Sequence, residues 1–132
     1  MPWVEGCSEL HVQLLNDRNV FPWITTRELA WFDPVTGKTF IVPKYFRTDG
    51  ASIPMALSLV PIVGAALCMR FFGKGIWQGF KQGVLHDCLR RGPNPPVPAD
   101  VAHRIFRDAL IEAGYPDDLV ENYYAAVASF NS

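Results

Sequence analysis

Residues 29–43 read Leu29-Ala30-Trp31-Phe32-Asp33-Pro34-Val35-Thr36-Gly37-Lys38-Thr39-Phe40-Ile41-Val42-Pro43. The segment from Asp33 to Lys38 has the chemistry of a turn. Its aspartate can bond back to the backbone, its proline presets φ, and its glycine accepts a left-handed conformation. Thr39 to Val42 is β-branched and aromatic, as suits a half-buried strand, and Pro43 stops it. The stretch predicts an antiparallel hairpin with arms at 23–32 and 38–43. Toward the N-terminus, residues 9–16 (Glu-Leu-His-Val-Gln-Leu-Leu-Asn) read as a short first strand.

Downstream, the period of the pattern changes from strand to helix. Over residues 75–91, Ile76, Trp77, Phe80, Val84, Leu85 and Cys88 share one broad helical face. Pro93, Pro95, Pro96 and Pro98 then forbid a helix and predict a short internal connector. A helix is expected from about Pro98 to Ala113, burying Ala102, Ile105, Phe106, Ala109, Leu110 and Ala113. Asp100 sits in its first turn and Gly114 ends it. A last helix, about 117–130, would bury Val120, Tyr123, Tyr124, Val127 and Phe130. The expected fold is α+β: an N-terminal antiparallel hairpin or small sheet followed by three or four packed helices. All 132 residues fit a single domain.

Hydrophobic residues make up 49% of the chain, enough for a real core, whereas charged residues make up only 19%. So low a charge content points to surface covered by a partner or another subunit. The net charge of −1 offers no bulk electrostatic footing for nucleic acid. Cys7, Cys68 and Cys88 are odd in number and show no framework spacing, so free thiols are expected. The N-terminus lacks the basic start and apolar run of a secretory signal, which predicts a chain that is not secreted by that route. From Ala51 to Met69 there is no charged residue. Pro54, Pro61 and Gly64 interrupt that run and Arg70 closes it, so a buried helix-turn-helix or an apolar surface hairpin is expected in preference to a membrane span, with contact to lipid the lesser alternative. Residues 55–72 thus read as an apolar insert, a surface for another protein.

The chemistry-bearing residues gather in three places. His86 and Asp87 lie on the first long helix; His86 points away from the apolar stripe, on the side of Gly79 and Gly83, where another segment or a ligand can come close. Asp87 sits at the edge of the stripe and needs a partner: a hydrogen-bond donor, an arginine or a metal. His103 flanks the buried face of the next helix. Asp49 and Ser52 follow the hairpin, in a turn. Brought together, Asp49, His86, Asp87 and His103 would form a mixed imidazole and carboxylate set suited to zinc, manganese or iron. Such a metal would activate water for attack on an ester, amide or phosphate. Each residue also has a purely structural reading: Asp49 satisfying turn donors, Ser52 capping a helix, Asp87 pairing with Arg47, Arg90 or Arg91, and His103 as a satisfied boundary histidine.

The order Val42-Pro43, Phe46-Arg47-Thr48-Asp49-Gly50-Ala51-Ser52-Ile53-Pro54, Val84-Leu85-His86-Asp87 and Ala102-His103-Arg104-Ile105-Phe106 resembles DUF1353, a family of small phage and prophage proteins of unknown function. The resemblance covers roughly 23–130. It implies a viral or prophage origin, and that Asp49, Ser52, His86 and Asp87 matter as a set. Two features depart from it: His103 stands where the family pattern has an aspartate, and the 55–72 insert is long.

Three functions are expected from these readings. The first is a virion- or tail-associated structural or accessory module, in a virion or the host cytoplasm, joined to other virion subunits through residues 55–72. The second is a metal-dependent hydrolase acting on cell-wall or nucleotide linkages. In it His86, Asp87 and His103 hold the metal, Asp49 acts as base or further ligand, and Ser52 orients Asp49 or substrate. The third is an inhibitor that binds a host protein through the same insert.

Overall fold

A computed structural model describes residues 2–15, 23–48, 80–91 and 97–130. The elements are β1 (Val12–Leu14), β2 (Trp23–Thr25), β3 (Leu29–Asp33), β4 (Lys38–Val42), β5 (Arg47–Thr48), α1 (Phe80–Arg91), α2 (Ala99–Glu112) and α3 (Asp117–Phe130). The fold is α+β: two small antiparallel sheets precede three helices among the described residues.

The β3–β4 hairpin forms where the turn chemistry places it, with Trp31 opposite Phe40 and Asp33 opposite Lys38. Gly37 takes φ 71° and donates its N–H to the Asp33 carbonyl at 2.8 Å. The Asp33 carboxylate accepts from the Thr36 backbone N–H at 3.2 Å and from the Thr36 hydroxyl at 2.7 Å. The first arm is shorter than the 23–32 expected. β2 leaves the hairpin to pair with β1 on one side and β5 on the other. The cause lies at Thr25, which is wholly buried. Its hydroxyl donates to the Pro43 carbonyl at 2.7 Å and accepts from the Phe46 N–H at 2.8 Å. That clamp holds the 43–46 turn, where Tyr45 sits at φ 68°, and carries the chain into the second sheet.

The free edge of β3 is covered by the N-terminal arm. Val4 N–H donates to the Ala30 carbonyl, Ala30 N–H to the Cys7 carbonyl, and Phe32 N–H to the Pro2 carbonyl. Trp3 thereby meets Trp31 edge-to-face, with ring centroids 4.8 Å apart.

α1 ends with Arg90 and Arg91, cations that complement its C-terminal dipole. It is buried along its whole middle, from Gln82 to Leu89, and not on one stripe only. The helix lies between the sheet and α2. Val84, Leu85, Cys88 and Leu89 join Leu29, Trp31, Val42 and Phe46 on one side and Ala102, Ile105 and Ala109 on the other. α2 is the amphipathic helix its sequence predicts. Its other face places Phe106 and Leu110 against Leu119, Val120, Tyr123 and Val127 of α3. Ala113, expected in the stripe, is exposed. The helix stops at Glu112 and Gly114 takes φ 87°, its N–H returning to the Ile111 carbonyl. Among the described residues no helix is long and apolar enough to cross a membrane. The 55–72 insert, with every expectation attached to it, lies outside the described residues.

Candidate functional site

α1 and α2 cross with two histidines face to face. His86 Nε2 and His103 Nδ1 are 2.9 Å apart, a hydrogen bond between neutral rings. The rings lie near parallel, 23° apart, with centroids separated by 5.1 Å. Phe106, one turn beyond His103, closes over His86 at 5.4 Å. Each histidine is only 4% exposed. The segment that approaches His86 is therefore α2.

Burial holds both imidazoles neutral. His86 is pushed down to about 4, chiefly by loss of solvent and then by the neighbouring His103. His103 is also lowered, first by burial and then by the charge of Arg90. Each neutral ring carries one N–H, and only one of the two N–H groups lies in the bond that joins the rings. The outer nitrogen of His103, Nε2, is buried and has no hydrogen-bond partner among the described residues. It is either a stranded N–H or a free lone pair, depending on which ring donates to the other.

Asp87 is adjacent in sequence but looks elsewhere. Arg91, one turn on, donates from Nε to Oδ1 and from Nη2 to Oδ2, both at 2.6 Å. Thr48 at the end of β5 donates its hydroxyl to Oδ2 at 2.7 Å. Arg91 also reaches the Arg47 carbonyl at 3.2 Å and lies over the Phe46 ring. The Asp87 carboxylate thus ties α1 to β5, and Arg91 is the arginine among its expected partners that takes it. The role of Thr48 was not singled out from the sequence. A lone threonine at a strand end carries no signal of a partner 39 residues away.

A second buried carboxylate, also missed, is Asp33. Arg104 on α2 donates to both its oxygens at 2.8 Å and to Asp108 at 2.9 Å. Its signal was present in the turn motif, but that motif explains the aspartate through Thr36 and hides the arginine. The structure unites His86 with His103 and turns Asp87 away to Arg91 and Thr48, while Asp49 and Ser52 lie outside the described residues. Among the described residues no group of three or more His, Cys, Asp or Glu gathers as a metal site. Cys88 packs on the apolar face, its thiol directed to the Ile41 carbonyl and pushed up to about 12 by burial. That is the inert thiol its position predicts.

The family model described as "Protein of unknown function (DUF1353)" matches residues 23–127, which include β2 through most of α3 and both histidines. The chain belongs to the DUF1353 family. Within this DUF1353 domain, the matched span carries the hairpin, the Asp33–Arg104 and Asp87–Arg91 pairs and the His86–His103 contact, while the N-terminal arm with Trp3 lies before it. No curated protein and no solved structure matches the chain.

Proposed function

We propose that this DUF1353 domain is a hydrolase whose working atom is His103 Nε2. One observation carries the reading: a buried, hydrogen-bonded imidazole pair that leaves the outer ring nitrogen of His103 without a partner among the described residues. Buried polar atoms are nearly always satisfied, and a stranded one costs about 1–3 kcal/mol. Among the described residues Trp31 Nε1 and His11 Nε2 are stranded in the same way, so what singles out His103 Nε2 is its place in a hydrogen-bonded imidazole pair.

The chemistry follows from the tautomer. With His103 Nδ1–H donating to His86 Nε2, His103 Nε2 carries a lone pair. It takes a proton from a water, the water oxygen attacks an ester, amide or phosphate centre, and the proton returns to the leaving group. His86 accepts the Nδ1–H throughout, which orients the ring and stabilises the imidazolium that forms. The Thr48–Asp87–Arg91 link positions α1, and with it His86, against the sheet.

A second reading has its own support. A metal-bound histidine ordinarily donates its other ring N–H to an outer partner, and the His103–His86 bond has that form. Zinc or manganese on His103 Nε2 would supply the activated water instead.

One experiment separates the readings. The purified chain, His103→Gln and His86→Asn are assayed against an aryl acetate, an aryl phosphodiester, a nucleotide and cell-wall fragments, and their metal content is measured by mass spectrometry. Hydrolysis by the wild type that His103→Gln reduces by about 10²-fold or more supports the proposal. Stoichiometric metal lost in His103→Gln selects the metal form. A folded His103→Gln variant that hydrolyses every substrate at the wild-type rate overturns both.

A further inference from the structure

An open cleft of about 930 Å3, whose lining includes neither histidine, is assembled from four elements. The N-terminal arm brings Trp3 and Glu5, the hairpin brings Phe32 and its cross-strand partner Thr39, α1 brings Lys81 from its first turn, and α2 brings its last residue, Glu112. This volume lies in the range of small-ligand sites.

Lys81 is the centre of the cleft's chemistry. Its ammonium stands 4.1 Å from the centroid of Trp3, which is itself braced edge-on by Trp31. Burial lowers its pKa, opposed by Glu112 and Glu9. No hydrogen bond or ion pair to Lys81 is found among the described residues, and this half-buried residue lines the cleft. Phe32 is 39% exposed, a large ring left open on the wall. Glu5 and Glu112 add two groups that only accept hydrogen bonds when ionised.

This mixture of one ammonium and two carboxylates presents both signs of charge to a ligand. An anion meets two carboxylates and a cation meets Lys81. The chemistry that uses all of it is a ligand whose closely spaced groups each both donate and accept, and which also has an apolar C–H face. We propose that this cleft binds a neutral saccharide, with hydroxyls bridging Lys81 and the carboxylates of Glu5 and Glu112 and a sugar ring lying on Phe32. The inference does not depend on the histidine pair.

The test uses the full chain and three probes: the trimer of N-acetylglucosamine, cellotriose and maltotriose. Tryptophan fluorescence, to which Trp3 contributes as one of four tryptophans, and amide chemical shifts are followed to the solubility limit of each. A saturable response to at least one probe is expected, weakened roughly tenfold by Phe32→Ala, Lys81→Met or Glu112→Gln, the loss of one good contact each. These side chains are exposed or half-buried, so the variants should melt as cooperatively as the wild type. Their metal content and hydrolytic rates on small aryl esters should stay unchanged, which separates failure of this proposal from failure of the one above. No saturable response to any trisaccharide overturns the inference. So does binding that the three variants leave intact, or saturation by a zwitterionic dipeptide such as Gly-Phe without any response to sugar.

Discussion

Arg104 on α2 grips Asp33 at the end of β3 through both terminal nitrogens, Nη1 to Oδ1 and Nη2 to Oδ2, each at 2.8 Å. Asp33 is wholly buried, so removing the arginine strands a carboxylate with only Thr36 beside it. Arg104→Met should destabilise the domain by about 3–5 kcal/mol, read by urea denaturation at neutral pH. The pair also sets an acid limit. The Arg104 guanidinium holds the Asp33 carboxyl down from 3.8 to about 2. Between those values the unfolded chain binds the extra proton, so stability rises with pH there and is lost as pH falls toward 2. The wild type should show that slope, and Arg104→Met should not.

The two ends of the Asp87–Arg91 pair should respond unequally. Asp87 is buried whereas the Arg91 side chain is 37% exposed. Arg91→Ala leaves a buried carboxylate held by Thr48 alone, whereas Asp87→Asn leaves a guanidinium that water reaches. Arg91→Ala should therefore cost about 3 kcal/mol and Asp87→Asn distinctly less, with Thr48→Val near 1 kcal/mol for one hydrogen bond. Equal losses in the two charge variants, measured by denaturant midpoints, would show that the stranded carboxylate does not dominate.

The legible parts of this fold are those with local causes. The turn at Asp33–Gly37 and the stripe of α2 follow from residue types a few positions apart, and both stand where the sequence places them. The break between β2 and β3 was not legible, because Thr25 is clamped by residues 18 and 21 positions on. α1 misled in another way: helical periodicity finds the face that meets the sheet, but a helix enclosed on both sides buries its polar residues too. His86 therefore reads as pointing away from the apolar stripe, toward a segment or ligand that spacing cannot name, and that segment is α2. The sequence singles out His86, Asp87 and His103 by residue type alone. Their division into a histidine pair and a separate Asp87–Arg91–Thr48 link depends on helix crossing, which no spacing within one helix reports.

Cys88 and Cys7 offer a chemical check on the packing of α1. Cys88 is buried between the hairpin and α2 with its thiol raised to about 12, so almost no thiolate exists at pH 8. Cys7 is partly exposed on the N-terminal arm. Iodoacetamide at that pH should label Cys7 in the native protein and reach Cys88 only when urea unfolds it, as read by peptide mass spectrometry. Native labelling of Cys88 at the rate of Cys7 would mean that α1 opens from the sheet far more often than its burial implies.

The histidine pair predicts a second, milder acid transition above that of Asp33. Burial depresses both rings, His86 from 6.5 to about 4. A depressed histidine binds fewer protons in the folded chain than in the unfolded one across that window. The stability it confers is whole above 6.5 and falls as pH drops toward 4. For His86 the loss is on the order of 3 kcal/mol, and His103 adds to it in the same direction. Urea denaturation at pH 7, 5.5 and 4.5 should show the fall in the wild type. His86→Asn should be less stable at pH 7, because it loses the ring packed under Phe106, and yet flatter across the window, because one titrating group is gone. The pH dependence of any hydrolysis supplies the functional counterpart: the rate should rise through a pKa below the ordinary histidine value and level off by neutrality. A wild type equally stable at pH 7 and 4.5 would mean that water reaches the pair freely, and the stranded His103 nitrogen would then lose its significance.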